Sequence, residues 1–270
     1  MYKLICARRW RPIGHPVAIA VVMAILGGFV VSRTFPHPAL FETGPGGFRQ
    51  AALADGSTVQ VNTRSALKVW MDRDVRHIAL MSGEAHFKVA ADATWPFVVV
   101  AGDTVIRAVG TEFSVRIWEP GRAVVMVGQG VVAVSHVESP MGERAVFRRR
   151  GVPLTGGQLV HAKHSVTDQG GRMALEELTH EQVSAREAWR RDMLQFNGEP
   201  LRAVVEEINR YNVLRLEIAD QRIDGQPISG QFRPREVERF LGTLEKLMGT
   251  TTESADENGR RVVRIYGPAK

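Results

Sequence analysis

The chain has 270 residues and a mass of 29.9 kDa, which is enough for two domains of ordinary size. Hydrophobic residues make up 44% and charged residues 24% of the chain, so disorder throughout is excluded. The net charge of +6 is local, because five of the 35 basic residues and none of the 29 acidic residues lie within residues 1–33. The nearly neutral remainder has no overall field that attracts nucleic acid. The single cysteine, Cys6, excludes an intramolecular disulfide framework and a cysteine-based zinc site.

The N-terminal segment predicts a membrane anchor. Residues 17–31 are apolar without interruption, and the run extends to residues 13–35 if polar groups at its ends reach the interface. The basic residues before it place residues 1–12 in the cytoplasm as a short stub, and the rest of the chain outside. A cleavable signal peptide is the main alternative, although no A-x-A site follows the apolar run. A buried helix of a soluble domain is a third interpretation, but this segment has no polar face.

Residues 44–164 predict an all-β domain of short strands. Apolar and polar residues alternate with period two, and turn signals such as Asp55-Gly56 and Gly128-Gln129-Gly130 separate the runs. A sandwich, a barrel and a β-solenoid all fit this pattern. Residues 165–187 are polar and rich in acidic residues, which predicts a linker or a poorly packed helix.

Residues 188–270 predict a small α+β domain. The apolar spacing from Leu201 to Tyr211 and the run from Val237 to Met248 each indicate one buried face of a helix. Short strands flank both helices, which gives the order β-α-β followed by β-α-β-β, with both helices on one face of a small sheet. Glu206 and Glu207 fall on the face opposite the apolar one, so we expect both to be solvated.

The sequence carries no recognised catalytic motif. It lacks the G-x-S-x-G, P-loop and H-E-x-x-H patterns, so we expect no enzyme, no cofactor and no metal. His161 and His164 are three residues apart, which is compatible with two metal ligands, but no carboxylate is close to them in sequence. A periplasmic hydrolase would need serine, histidine and an acid to converge in a cleft, and no such set is readable from the sequence.

One dipeptide, Gly110-Thr111, has chemistry of its own. A threonine hydroxyl can attack the preceding carbonyl carbon when the peptide is held under strain, and glycine leaves room for that attack. The alternative is a glycine at a bend followed by a threonine that favours β structure.

Six sequence blocks, in order, resemble the FecR family of single-pass regulators, and the resemblance covers residues 44–270. No block is specific alone, but their order and spacing are. They comprise Ala54–Ser57 with Val59, Val61 and Asn62; Leu80 with Ser82–Ala85 and Phe87–Val89; Pro96–Val99; Val109–Val115; Ala188–Arg190 with Leu194, Phe196, Pro200–Leu201 and Asn209–Tyr211; and Ser229, Gly230 and Phe232 with Leu241 and Leu244.

The resemblance implies an inner-membrane anti-sigma factor of cell-surface signalling and iron transport regulation. Such a protein relays a signal from the signalling domain of a TonB-dependent siderophore receptor in the outer membrane to an extracytoplasmic-function sigma factor. Residues 188–270 would then be similar to the short domain of secretins and TonB-dependent transducers. Some family members are cleaved at the glycine and threonine matching Gly110 and Thr111, which implies a single self-cleavage event here.

The partner surface is expected at a sheet edge of the C-terminal domain. Exposed edges can bind a partner by strand addition, and the strand containing Ile228, Ser229, Gly230 and Phe232 is the candidate. We expect no direct contact with nucleic acid.

The start of the chain departs from the family pattern. Family members begin with a cytoplasmic domain that holds the sigma factor, whereas only about twelve residues precede the apolar segment, too few to bury a core. Residues 1–12 are therefore expected to be the truncated end of such a domain. The alternative function is a secreted or periplasmic β-rich binding module, with residues 1–35 as its signal peptide.

Overall fold

In the computed structural model, residues 38–137 and 158–268 are described, and they belong to one compact unit. Among these residues no helix is long and apolar enough to span a membrane. The predicted cytoplasmic stub (residues 1–12) and the predicted membrane helix (residues 13–35) lie outside the described residues.

Fourteen strands form the first part of the described chain. They are β1 (Ala39–Glu42), β2 (Arg49–Ala52), β3 (Thr58–Val61), β4 (Ala66–Met71), β5 (Arg76–Ser82), β6 (Glu84–Lys88), β7 (Phe97–Ala101), β8 (Thr104–Ala108), β9 (Glu112–Glu119), β10 (Arg122–Gln129), β11 (Val131–His136), β12 (Gln158–His161), β13 (His164–Gln169) and β14 (Arg172–Glu177). One sheet has the order β1-β4-β5-β7-β8-β11-β12, and the other β14-β13-β10-β9-β6-β3-β2. All neighbours are antiparallel except β5 and β7.

The two sheets pack face to face as a β-sandwich, which decides among the three architectures that the period-two pattern allows. Phe87 of β6 contacts Phe97 of the opposite sheet, with ring centroids 5.8 Å apart, and Phe113 of β9 at 5.2 Å. All three rings are fully buried within one apolar core that draws residues from both sheets. The inward positions of each strand supply this core, as the alternation predicts.

The predicted linker over residues 165–187 was wrong. Most of the segment forms β13 and β14, which extend the second sheet beyond β10. A short helix, α1 (His180–Arg186), follows and begins with a capping box of Thr179 and Gln182. The segment is polar because β14 is an exposed edge strand and because the buried carboxylate of Asp168 accepts hydrogen bonds within the sandwich.

The C-terminal part, called here the C-terminal module (residues 188–268), has the predicted order of elements but not the predicted layers. A 3-10 turn (Ala188–Arg191) leads into β15 (Leu194–Pro200), α2 (Leu201–Tyr211), β16 (Arg215–Ile218), a second 3-10 turn (Gln221–Ile223), β17 (Pro227–Phe232), α3 (Val237–Met248), β18 (Thr251–Glu257) and β19 (Arg260–Tyr266). The strands form two sheets, β15-β17 and β16-β19-β18, rather than one. Helix α2 packs against strands of both sheets, so the helices do not lie on one face of a single sheet.

Candidate functional site: the junction between the sandwich and the C-terminal module

An ion pair joins helix α2 to the sandwich. Glu207 accepts hydrogen bonds of 2.6 Å from Arg116 of β9 and of 2.6 Å from Arg210 of its own helix. Its side chain is only 14% exposed, so the expectation that Glu207 is solvated was wrong, whereas Glu206 is exposed. Burial alone raises the pKa of Glu207, but the two guanidinium groups outweigh it and hold that pKa below its usual range. The carboxylate is therefore ionised and shared between the two domains.

A second set of contacts surrounds the C-terminal end of α2. The amide nitrogen of Asn62 donates to the Tyr211 hydroxyl and to a carboxylate oxygen of Glu84, both at 2.9 Å. Arg64 donates to the carbonyl oxygens of Arg210 and Asn212, both at 2.8 Å. The last carbonyls of a helix lack partners within the helix. Asn212 caps the Ile208 carbonyl from within the module, whereas Arg64 of the sandwich supplies the partner of the Arg210 carbonyl, so docking completes the helix end.

A third cluster links the strands to the 3-10 turn. His86 of β6 lies 2.9 Å from the Ser114 hydroxyl through Nδ1 and 3.0 Å from the Glu112 carboxylate through Nε2. Arg190 of the turn reaches the same carboxylate at 3.2 Å and donates to Gln60 at 2.7 Å. The sequence search did not find this serine, histidine and acid, because the residues come from two strands that pair only in the folded sheet.

Burial, followed by the nearby Arg190 charge, lowers the pKa of His86 to about 4, although the Glu112 carboxylate acts in the opposite direction. An imidazole with such a pKa is neutral and a weak base near neutral pH. The Glu112 carboxylate forms an ion pair with Arg190 in addition to its contact with His86. The cluster is therefore suited to joining the two parts of the molecule.

An apolar contact completes the junction. Trp189 is 6% exposed and meets Phe48 of the sandwich edge to face, with ring centroids 6.0 Å apart. Beside it, a cleft of about 440 Å³ runs between the second sheet and the C-terminal module. Trp118 lines that cleft, is 51% exposed, and carries the Arg116 guanidinium 3.6 Å from its ring centroid. The junction thus combines ion pairs, helix capping and aromatic packing.

The dipeptide Gly110-Thr111 lies at the entry to β9, immediately before Glu112 of the junction. Gly110 has φ +63°, and a Cβ there would stand 2.8 Å from that of Ala91, so the position requires glycine. Thr111 is 4% exposed, and its hydroxyl has no hydrogen-bond partner within the described residues. Its carbonyl accepts from the Val89 amide at 2.9 Å, which fixes the strand entry. The hydroxyl is buried beside the bond that it would attack, and no side chain of the described ranges is hydrogen-bonded to it as a base.

The predicted partner strand is β17, which pairs with β15 on one side only among the described residues. Ile228 is buried in the core of the module, and Phe232 contacts Phe240 of α3 at 5.3 Å. Ser229 and Gly230 are exposed. Any partner that adds to β17 would therefore meet its backbone and its small exposed side chains, because the large apolar ones already face inward.

The histidine pair that the sequence analysis considered for metal binding lies at the turn between β12 and β13. The ring centroids of His161 and His164 are 6.5 Å apart, and Nδ1 of His164 lies 3.1 Å from the carbonyl oxygen of Ala162. A search of the described ranges, 38–137 and 158–268, finds no group of three or more residues placed to hold a metal ion.

Comparisons with known proteins identify the fold. Residues 39–133 match the family FecR (FecR protein), which confirms the FecR resemblance over that part of the chain. A search of curated proteins finds no match. Two crystal structures, both described as a "putative anti-sigma factor" from Parabacteroides distasonis ATCC 8503, are similar over most of the chain. The 1.65 Å structure has a TM-score of 0.63 at 20% identity and covers 83% of this chain and 98% of that one. The 2.50 Å structure has a TM-score of 0.64 at 20% identity and covers 86% and 100%.

Proposed function

We propose that this protein is a membrane-anchored regulator of the anti-sigma type. The sandwich and the C-terminal module would lie in the periplasm of the cell, and residues 13–35 would anchor them in the inner membrane with the N-terminus in the cytoplasm. The module would receive the signalling domain of a TonB-dependent siderophore receptor, and the signal would reach an extracytoplasmic-function sigma factor. The match over residues 39–133 and the fold shared with proteins described as anti-sigma factors support this proposal.

One observation carries the relay: the module is joined to the sandwich by a buried ion pair and by capping of α2. A domain held by such contacts transmits a displacement to its neighbour instead of absorbing it in a flexible linker. Binding of a partner at the module would therefore bias the sandwich, and with it the anchor.

Transcript profiling tests the regulatory role. A deletion strain and a strain complemented with the wild-type chain are grown under iron limitation, with and without a ferric siderophore. We expect the deletion to change the transcription of a small set of genes that includes a receptor operon, and complementation to restore it. Identical profiles in all strains would refute the regulatory proposal.

Fractionation tests the topology. With a tag at the C-terminus, we expect the protein in the inner membrane, with the tag accessible to protease in spheroplasts. A soluble periplasmic species that lacks residues 1–35 would refute the anchor and favour the secreted binding module.

Self-cleavage at Gly110-Thr111 is a second proposed property, and the buried, unpartnered hydroxyl of Thr111 favours it. That oxygen would attack the Gly110 carbonyl carbon, the peptide C–N bond would break, and the nitrogen would take up the hydroxyl proton, which leaves an ester. Water would then hydrolyse the ester to a Gly110 carboxylate and a fragment that begins at Thr111.

A further inference from the structure

A groove lies between helix α3 and strand β18 of the C-terminal module. Its volume is about 500 Å³. The half-buried side chain of Leu241 and the buried Val263 of β19 line it, together with the first residues of β18. The groove therefore includes apolar side chains in a largely polar lining, with a helix along one side and a β-strand along the other.

The strand beside this groove is a sheet edge. In the order β16-β19-β18, strand β18 pairs only with β19 within the described part of the chain. Residues 251–254 are exposed on that strand. An outer strand presents a row of backbone N–H and C=O groups that can pair with another chain. An extended peptide laid along β18 would continue the sheet and direct alternate side chains toward the groove.

Helix α3 carries a glycine where it lines the groove. Gly242 lies in the middle of the helix, where glycine costs about 1 kcal/mol relative to alanine. A Cβ at this position would meet no atom within 4 Å, so packing inside the module does not require glycine. Glycine also permits close approach of a second backbone or a bulky group from outside. The position is therefore consistent with an external occupant that passes close to the helix.

The charges around the groove indicate what kind of segment fits. Glu238 and Glu245 lie one above and one below Gly242 on the helix, both are exposed, and neither makes an ion pair with another described residue. Arg261 is the basic residue that lines the groove, so the lining includes two carboxylates and one guanidinium. A basic segment complements this rim better than an acidic one.

We propose that the groove between α3 and β18 binds an extended, basic segment of a partner polypeptide by strand addition. The segment pairs with the free edge of β18 and places one side chain over Gly242, flanked by Glu238 and Glu245. This surface is separate from the β17 edge. It deepens the proposed function because it would give the periplasmic partner a second attachment site. The identity of the partner rests on the proposed function, whereas binding of a basic peptide to the groove does not.

A peptide selection tests the proposal without knowledge of the partner. A displayed library of random twelve-residue peptides is panned against the full chain in detergent micelles, and affinities of enriched peptides are measured by fluorescence polarisation. We expect enriched peptides to be basic and rich in residues that favour β structure. We also expect slower amide exchange along residues 251–257 when they bind.

Matched variants locate the binding site. Gly242→Trp fills the groove and should weaken binding at least tenfold, whereas Gly242→Ala adds only a methyl group, so it should weaken binding much less and raise thermal stability. If the tryptophan variant does not fold, the double change Glu238→Gln and Glu245→Gln replaces it; it should weaken binding and flatten the salt dependence. Glu206→Gln, on α2, is the control for that charge change.

Several results would overturn the proposal: no enriched peptide, acidic peptides, or basic peptides that bind Gly242→Trp with unchanged affinity. Binding lost only when Ser229→Pro alters β17 would assign the surface to the other edge. Because these measurements use the purified chain, they separate a failure of the groove from a failure of the regulatory function, which the transcript profiles report.

Discussion

Removing the charge of Glu207 is the most direct test of the junction. Glu207→Gln keeps the shape of the side chain but leaves the guanidinium groups of Arg116 and Arg210 without their shared anion. Breaking a buried pair by removing one partner costs about 3–5 kcal/mol. The three side chains are between 14% and 21% exposed, so solvent recovers part of this loss. We therefore expect a loss of about 2–4 kcal/mol in the free energy of unfolding.

Thermal unfolding of the full chain in detergent, followed by circular dichroism, measures the effect. At about 2–4 °C per kcal/mol for a unit of this size, the expected fall in Tm is roughly 5–15 °C. Glu206→Gln makes the same chemical change one position earlier on an exposed face and should change Tm by only about 1–2 °C. A double-mutant cycle with Arg116→Met should give a coupling energy of about 1–3 kcal/mol across the two domains. Equal Tm values for Glu206→Gln and Glu207→Gln would refute a buried interdomain ion pair.

Three further changes have defined outcomes. Because the pKa of His86 is lowered to about 4 in the folded chain, the unfolded chain binds the proton first as the pH falls. The neutral state of His86 therefore contributes up to about 3 kcal/mol to the free energy of unfolding. This contribution is complete above about pH 6.5 and is lost as the pH falls to about 4. His86→Gln should therefore make the urea-unfolding midpoint depend less on pH over that interval. Trp189→Ala should lower the free energy of unfolding by about 3–5 kcal/mol, since the ring is buried against Phe48; unchanged thermal unfolding would contradict that packing. Thr111→Ala should abolish any fragment that begins at residue 111 while the Tm stays within about 2 °C; mass spectrometry that still detects the fragment would exclude attack by the hydroxyl.

Much of the fold can be predicted from the spacing of apolar residues, because most strands and helices pack one face against the core of their own domain. Alternation places Val59, Val61 and Phe87 inward on their strands, and all three are fully buried. The helical spacing from Leu201 to Tyr211 likewise marks the face of α2 that enters the module core. These patterns depend on the period of the backbone, which neighbouring residues determine on their own.

Local patterns fail where a residue serves a second interface. Glu207 lies on the polar face of α2, yet it is buried against a strand 91 residues earlier in the sequence. The strands β13 and β14 were missed for a related reason: the Asp168 carboxylate of β13 is satisfied across the sandwich by Thr104 and His136, and β14 is an exposed edge. A polar residue whose partner is distant in the chain looks like a solvated one.

The sequence alone determined the order of strands and helices in the C-terminal module, the change from an all-β to an α+β region, and the FecR-like blocks, because periodicity and short motifs are properties of adjacent residues. Only the tertiary structure decided that the β region is a sandwich, that the C-terminal module has two sheets, and that His86, Ser114 and Glu112 come together beside Arg190. Those features depend on which strands pair and which faces meet, and the free energy of such contacts is spread over residues far apart in the chain.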